Sequence, residues 1–125
     1  MNKIIYFFLI FAIANSCNNA IEKKPKKLLD RETMTNIFYD LAILESTQGY
    51  LPQILTKNQI TPKKFIYQKY KIDSLVFVQN NRYYASNVEL YKRIYDDVYK
   101  KLTSEKENLQ LELEKTKKLK KKKLK

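Results

Sequence analysis

The stretch YKIDSLVFVQNNRYYASNVELYKRIYDDVYKKL, residues 70–102, decides the fold. Asp73 is a side-chain cap for a helix running from Ser74 to about Ala85, on which Phe77, Asn80, Asn81 and Tyr84 share one face. Ser86, Asn87, Val88 and Glu89 form an S-x-x-E capping box, which opens a second and longer helix. Leu90, Tyr91, Ile94, Tyr95, Val98 and Leu102 are its apolar stripe.

Upstream, Thr61-Pro62 is a cap followed by Pro at the first helical position. It predicts a short helix from Pro62 to about Tyr70 with Phe65, Ile66 and Tyr70 inward. Residues 50–60 contain Pro52 and no sustained period, and read as a loop. Before them, Asp30 caps a helix, and Leu29 with Met34 makes a hydrophobic staple. Met34, Ile37, Phe38, Leu41 and Leu44 recur at helical spacing, and Gly49 is the expected stop, so this helix should cover residues 31–48.

Downstream of Leu102 the stripe thins to Leu109 and Leu113. Residues 105–125 hold no Gly or Pro and should continue as helix. Glu112 and Glu114 are spaced to pair with Lys115, Lys117 and Lys118, and the last lysines suit the negative end of the helix dipole. The expected fold is all-α: a small bundle of three to four helices, its long C-terminal helix extending into a lysine-rich tail. The expected core is Met34, Ile37, Phe38, Leu41, Leu44, Phe65, Ile66, Phe77, Tyr84, Leu90, Ile94 and Val98.

The chain has 125 residues, a formal net charge of +12, no His, one Cys and one Gly. A single Gly excludes the Gly-rich loops that cradle phosphates. Absence of His, with one Cys, excludes Cys/His zinc sites, His-based triads and an internal disulfide. No cofactor is implied. The charge is unevenly placed: residues 22–27 carry +3, residues 115–125 carry +8, and residues 28–114 sum to zero. A nucleic-acid-binding domain would instead show a basic face on its folded part.

The N-terminus reads as an export signal. Lys3 precedes an unbroken apolar run over residues 4–13, half of the roughly 20 residues that span a bilayer. Ala14, Asn15, Ser16 and Cys17 follow, and this A-N-S-C resembles the lipobox of a bacterial lipoprotein. The resemblance implies cleavage before Cys17 and acyl chains, such as palmitate, on that cysteine. Several chains hold stably where one holds marginally. The expected organisation is a signal peptide over residues 1–16, a tether over 17–27, a helical domain over 28–104 and a charged helical extension with the lysine tail over 105–125.

From Pro25 to Leu102 the chain resembles a family of small Bacteroidota lipoproteins known as domain of unknown function 4296. Pro25, Leu28-Leu29, Met34, Ile37, Asp40-Leu41 and Glu45 carry the first half of that resemblance. Ile72-Asp73-Ser74, Phe77, Asn80, Tyr83-Tyr84, Tyr91, Ile94-Tyr95 and Val98 carry the second. It implies an anchored, mostly helical envelope protein and no assigned activity.

Among residues with chemistry to offer, Glu45 falls between Leu41 and Phe38 on the apolar face of the first helix at about 100° per residue. A carboxylate there is either a ligand-binding or acid group, or a structural partner for Arg82, a Tyr hydroxyl or a helix N-terminus, or a carboxylate emerging where the helix end leaves the core. Asp40 sits at the edge of the stripe, too far round to pair closely with Glu45. Tyr83, Tyr84, Tyr91, Tyr95 and Tyr99 crowd the hairpin of the last two helices. Tyr84, Tyr91 and Tyr95 read chiefly as core rim, and Tyr99 equally as an interaction residue. Asn80 and Asn81 read as partners for backbone or Tyr hydroxyls. The expectation is a non-enzymatic, lipid-anchored protein of the bacterial cell envelope, facing the periplasm, that binds another envelope protein. The alternatives are a small-ligand binder or carboxylate enzyme around Glu45, and an electrostatic binder of anionic lipid or polymer through the lysine tail. Cys17→Ser is expected to abolish acyl labelling and shift the protein in detergent-phase partition. Mature protein that stays in the detergent phase unchanged would sink the anchor.

Overall fold

A computed structural model describes residues 22–123. The expected leader, Cys17 and the start of the tether lie outside the described residues. Five helices follow in order: α1 (Arg31–Tyr50), α2 (Pro52–Lys57), α3 (Pro62–Tyr70), α4 (Ser74–Ala85) and α5 (Val88–Lys123). All regular structure among the described residues is helical, as expected, with one helix more than the sequence showed.

Local chemistry explains the boundaries. The Asp30 carboxylate accepts from the Thr33 N–H at 2.7 Å, and this bond holds its pKa below the ordinary value. The Asp73 carboxylate likewise accepts a hydrogen bond from the Val76 N–H at 2.7 Å. Two expected boundaries differ. α1 runs through Gly49 and ends where Leu51 leaves the helical region (φ −139°, ψ 55°), its N–H still donating to the Thr47 carbonyl at 2.8 Å. The stop is Pro52, because a residue before Pro is pushed out of the helical region. At α5 the cap is Asn87, whose side chain accepts from the Leu90 N–H at 3.1 Å, and not Ser86. The Ser86 N–H already donates to the Arg82 carbonyl at 2.9 Å, which closes the end of α4. Glu89 pairs forward with Arg93 instead of reaching back to a cap.

The stretch expected as a loop contains α2. Pro52 starts it, and Leu55 goes 6% exposed into the core. Six residues are too few for a helical period to show in sequence. Ile72, in the α3–α4 turn, is the other unexpected core residue at 7% exposed. The core otherwise centres on Met34, Ile37, Leu44, Ile66, Tyr84, Ile94 and Val98. Phe38, Leu41, Phe65, Phe77 and Leu90, expected inside, are half-buried around it, since so small a domain has little interior to offer them.

The helices form an up–down arrangement around α1. α3 runs antiparallel to α1, which brings Asp40 to Lys69 and Tyr70. α4 and α5 form a hairpin, in which Tyr91 donates to Asn81 at 3.2 Å. α5 then crosses α1 in the same general direction, with Arg31 at Asp97 (3.6 Å) and Asn36 at Lys101 (2.6 Å). Lys101 also lies 4.4 Å over the Tyr39 ring. At 1.5 Å per residue, the 36 residues of α5 extend about 54 Å.

Asn80 ties the extended N-terminal segment to this bundle. It is fully buried; its oxygen accepts from the Leu29 N–H at 2.7 Å, and its amide donates to the Lys27 and Val76 carbonyls, both at 2.8 Å. One turn on, the Tyr84 hydroxyl donates to the Leu29 carbonyl at 2.7 Å. Lys27, expected as the last residue of a free tether, is thus docked, and its Nζ donates to the Lys71 carbonyl at 3.1 Å. Lys71 takes a left-handed φ of 50° at the end of α3, and Lys27 covers that end. Asn80→Ala would leave the Leu29 N–H and Lys27 carbonyl without this partner. It should lower unfolding free energy by about 2–4 kcal/mol in urea titration. The neighbouring exposed Gln79→Ala should cost under about 0.5 kcal/mol. Equal losses would remove the clamp from its central place.

Candidate functional site

Asp40 is the fastener between α1 and α3. Its side chain is 14% exposed, and one carboxylate oxygen accepts from Lys69 Nζ at 2.6 Å and from the Tyr70 hydroxyl at 2.7 Å. Lys69 leans over the Phe65 and Tyr70 rings at 5.8 and 5.4 Å, while its own side chain stays 47% exposed. Burial, and then the bond to Asp40, drives the Tyr70 pKa well above the ordinary phenol value. The sequence placed Asp40 at the edge of a stripe and did not show these partners, which lie 29 and 30 residues away.

Farther along the same two helices, α1 and α3 separate and leave an open groove of about 430 Å³. Leu41, Ile66, Tyr67 and Phe77 make its apolar floor, and Glu45 and Lys63 stand at it with opposite charges. Glu45 is solvent-exposed, which fits the reading of a carboxylate emerging where the helix end leaves the core and not that of a desolvated one. It lies near the C-terminal end of α1, where the helix leaves the core, so the same angular position that buries Leu41 partly leaves Glu45 in water. Arg82 is exposed on α4 and forms no ion pair with Glu45 among the described residues. Asp40 is engaged at Lys69, so the two carboxylates that the sequence offered are not brought to one reacting point. Among the described residues no cluster of Cys, Asp or Glu is disposed to hold a metal ion. Lys63 was not singled out in the sequence; only the antiparallel return of α3 puts it opposite Glu45.

The tyrosines divide by position. Tyr84 is spent on the Leu29 carbonyl. Tyr91 and Tyr95 pack with Phe38 between α1 and α5: Tyr91 meets it edge-on at 5.9 Å and Tyr95 stacks on it at 5.4 Å. Tyr95 nonetheless keeps 49% of its surface open, and Tyr99, one turn on, keeps 71%. Lys115, Lys117, Lys118, Lys120 and Lys121 are exposed along the last turns of α5. The expected pairs of Glu112 and Glu114 with these lysines do not form among the described residues, since on an open helix both partners keep their hydration.

Burial followed by the bond to Tyr95 pushes the Tyr91 phenol up to about 12, and burial also raises Tyr84 and Tyr39. A raised phenol pKa in the folded state means stabilisation that is fully present below the unfolded value of about 10 and is lost as pH rises through the folded value. The urea midpoint should therefore fall between about pH 10 and pH 12. Tyr91→Phe should flatten that fall, and Tyr99→Phe should leave it unchanged. Identical alkaline profiles for both variants and the parent would refute this assignment.

No curated protein and no solved structure matches this chain significantly. With residues 25–108 matching it, from the docked N-terminal segment through the extension of α5 beyond Leu102, the chain belongs to the family described as Domain of unknown function (DUF4296).

Proposed function

We propose that this protein is a non-enzymatic interaction module of the bacterial cell envelope, tethered by acyl chains on Cys17, with the α1–α3 groove as its contact surface. One observation carries the reading. Four of the polar side chains singled out, Asp40, Asn80, Tyr84 and Tyr91, are committed to holding the fold, while the groove keeps an apolar floor with one exposed acid, Glu45, and one exposed base, Lys63, beside it. Asp40 is bound to Lys69 and Tyr70, Asn80 to backbone, Tyr84 to Leu29 and Tyr91 to Asn81. An exposed apolar floor rimmed by opposite charges suits a protein segment, which fills the floor and pairs at the edge. The neutral charge of residues 28–114 fits a partner chosen by shape and local pairing rather than by bulk charge.

A photo-crosslinking residue placed at Gln48 or Lys63, beside the groove, should capture one recurrent envelope protein in the native host. The same residue at Glu107 on α5 should not. Capture that is absent from the groove positions, or equal at all three, would count against this surface. The charge swap Glu45→Lys with Lys63→Glu should retain more of the capture than either single change.

A further inference from the structure

We propose that the two cationic ends of this chain act together as one surface that lies on an anionic phospholipid bilayer. The inference rests on the membrane-tethered reading above and deepens it by naming a second contact with the membrane. Sequence separates these ends by almost the whole domain; topology returns them to the same side.

The direction of each segment follows from its contacts. Leu29 sits at Asn80 and Tyr84, toward the end of α4. Residues 22–26 lie beside Leu75 and Gln79, toward its start. Tracing back from Leu29 to Glu22 therefore follows α4 in reverse. α5 folds back on α4 through the Ser86–Asn87 turn and so travels in reverse to it as well. The N-terminal segment, followed toward Cys17, and α5, followed toward its C-terminus, leave the bundle toward the same side. Lys101 is still at Asn36 and Tyr39; the next 20 residues carry α5 about 30 Å farther, to Lys121. The five residue-to-residue steps from Glu22 back to Cys17 span at most about 17 Å when extended. An anchor at Cys17 thus keeps the bilayer within reach of the lysine-bearing turns of α5.

The charge at that side is predominantly positive, with Glu22 as the acid of the segment and Glu112 and Glu114 just before the lysine turns of α5. Lys23, Lys24 and Lys26 are exposed on the segment, and Lys115, Lys117, Lys118, Lys120 and Lys121 are exposed on α5. Residues 115–125 contain no acid, and none of these lysines is in an ion pair among the described residues. Lysines held near an anionic surface add their attractions, and one acyl anchor with a polybasic patch is a stable combination. A bilayer, rather than a soluble polyanion, is favoured because both patches point toward the side to which the anchor would tie the chain.

The test uses the full-length chain, purified with its N-terminal modification and bound to vesicles. A fluorophore on Leu119→Cys reports its distance to headgroup-labelled lipid by energy transfer. Transfer should appear on vesicles of phosphatidylcholine mixed with phosphatidylglycerol and disappear in 1 M salt, where the screening length is about 3 Å. It should be absent on phosphatidylcholine alone. The variant K115Q/K117Q/K118Q/K120Q/K121Q, which keeps the helix-forming chain length, should weaken this surface contact at least about a hundredfold. Equal transfer in that variant, equal transfer on neutral vesicles, or insensitivity to salt would overturn the proposal. So would a tail that ignores the charged vesicles but binds a soluble acidic polymer. Flotation of the protein with vesicles in 1 M salt reads the acyl anchor separately. Its loss would sink the Cys17 reading, while the low-salt comparison of parent and glutamine variant would still decide the role of the lysines.

Discussion

A buried amide holds this fold's least regular part to its most regular one. Asn80 has no exposed surface, and it meets the N–H of Leu29 and the carbonyls of Lys27 and Val76. An extended segment laid on a helix has no ladder of its own, so its backbone groups need partners from side chains. Asn is suited to this because one side chain both accepts and donates. Tyr84 completes the seam at the Leu29 carbonyl. With residues 27–29 fixed, Leu28 and Leu29 pack on the core, and Asp30 is in place to cap α1. The entry of the main helix is thus set by a residue 50 positions later in the chain, which couples the formation of α1 to that of the α4–α5 hairpin.

The same economy of polar groups bears on function. In a domain this small, a buried polar side chain without partners would cost a substantial share of the net stability. Asp40, Asn80, Tyr84 and Tyr91 are accordingly tied to neighbours, and their chemistry is used to orient helices; the buried Thr35 hydroxyl is the exception among the described residues, with no partner. What remains open to a partner is the surface where α1 and α3 part and the length of α5 beyond the bundle. The groove opens where the start of α3, at Pro62, comes beside Gln48 near the end of α1.

Much of the architecture was legible because its signals are local. Asp30 and Asp73 announce α1 and α4 through caps that act over three residues. Pro62 fixes the start of α3, and the stripe from Leu90 to Leu102 marks α5. Asn80 was recognisable as a polar residue on an apolar face, and its partner was expected to be nearby backbone or a Tyr hydroxyl, not the distant backbone of Lys27 and Leu29. Illegible features depend on distant parts of the chain. Gly49 looks like a stop only until Pro52 is weighed as the stronger one. Glu45 looks buried on a wheel that assumes the bundle covers α1 to its end. Lys63 has no meaning until α3 turns back along α1, and the Asp40–Lys69–Tyr70 fastener is made by the same return.

Charge and fold are kept apart in this chain, and that separation has a physical consequence. Residues 28–114 sum to zero, so the bundle carries little net self-repulsion, and its local ion pairs are mostly exposed and worth little individually. The excess positive charge is placed in residues 22–27 and 115–125, outside the hydrophobic core. Repulsion among the lysines of α5 is borne by a helix that continues from a packed base, because Ile94, Val98 and Leu102 anchor it against α1 before the lysines begin. Helix propagation from such a base avoids the cost of nucleation, which an isolated lysine-rich peptide of the same length would have to meet by itself. The bundle therefore supports the extended cationic helix, and the helix asks nothing of the bundle's charge in return.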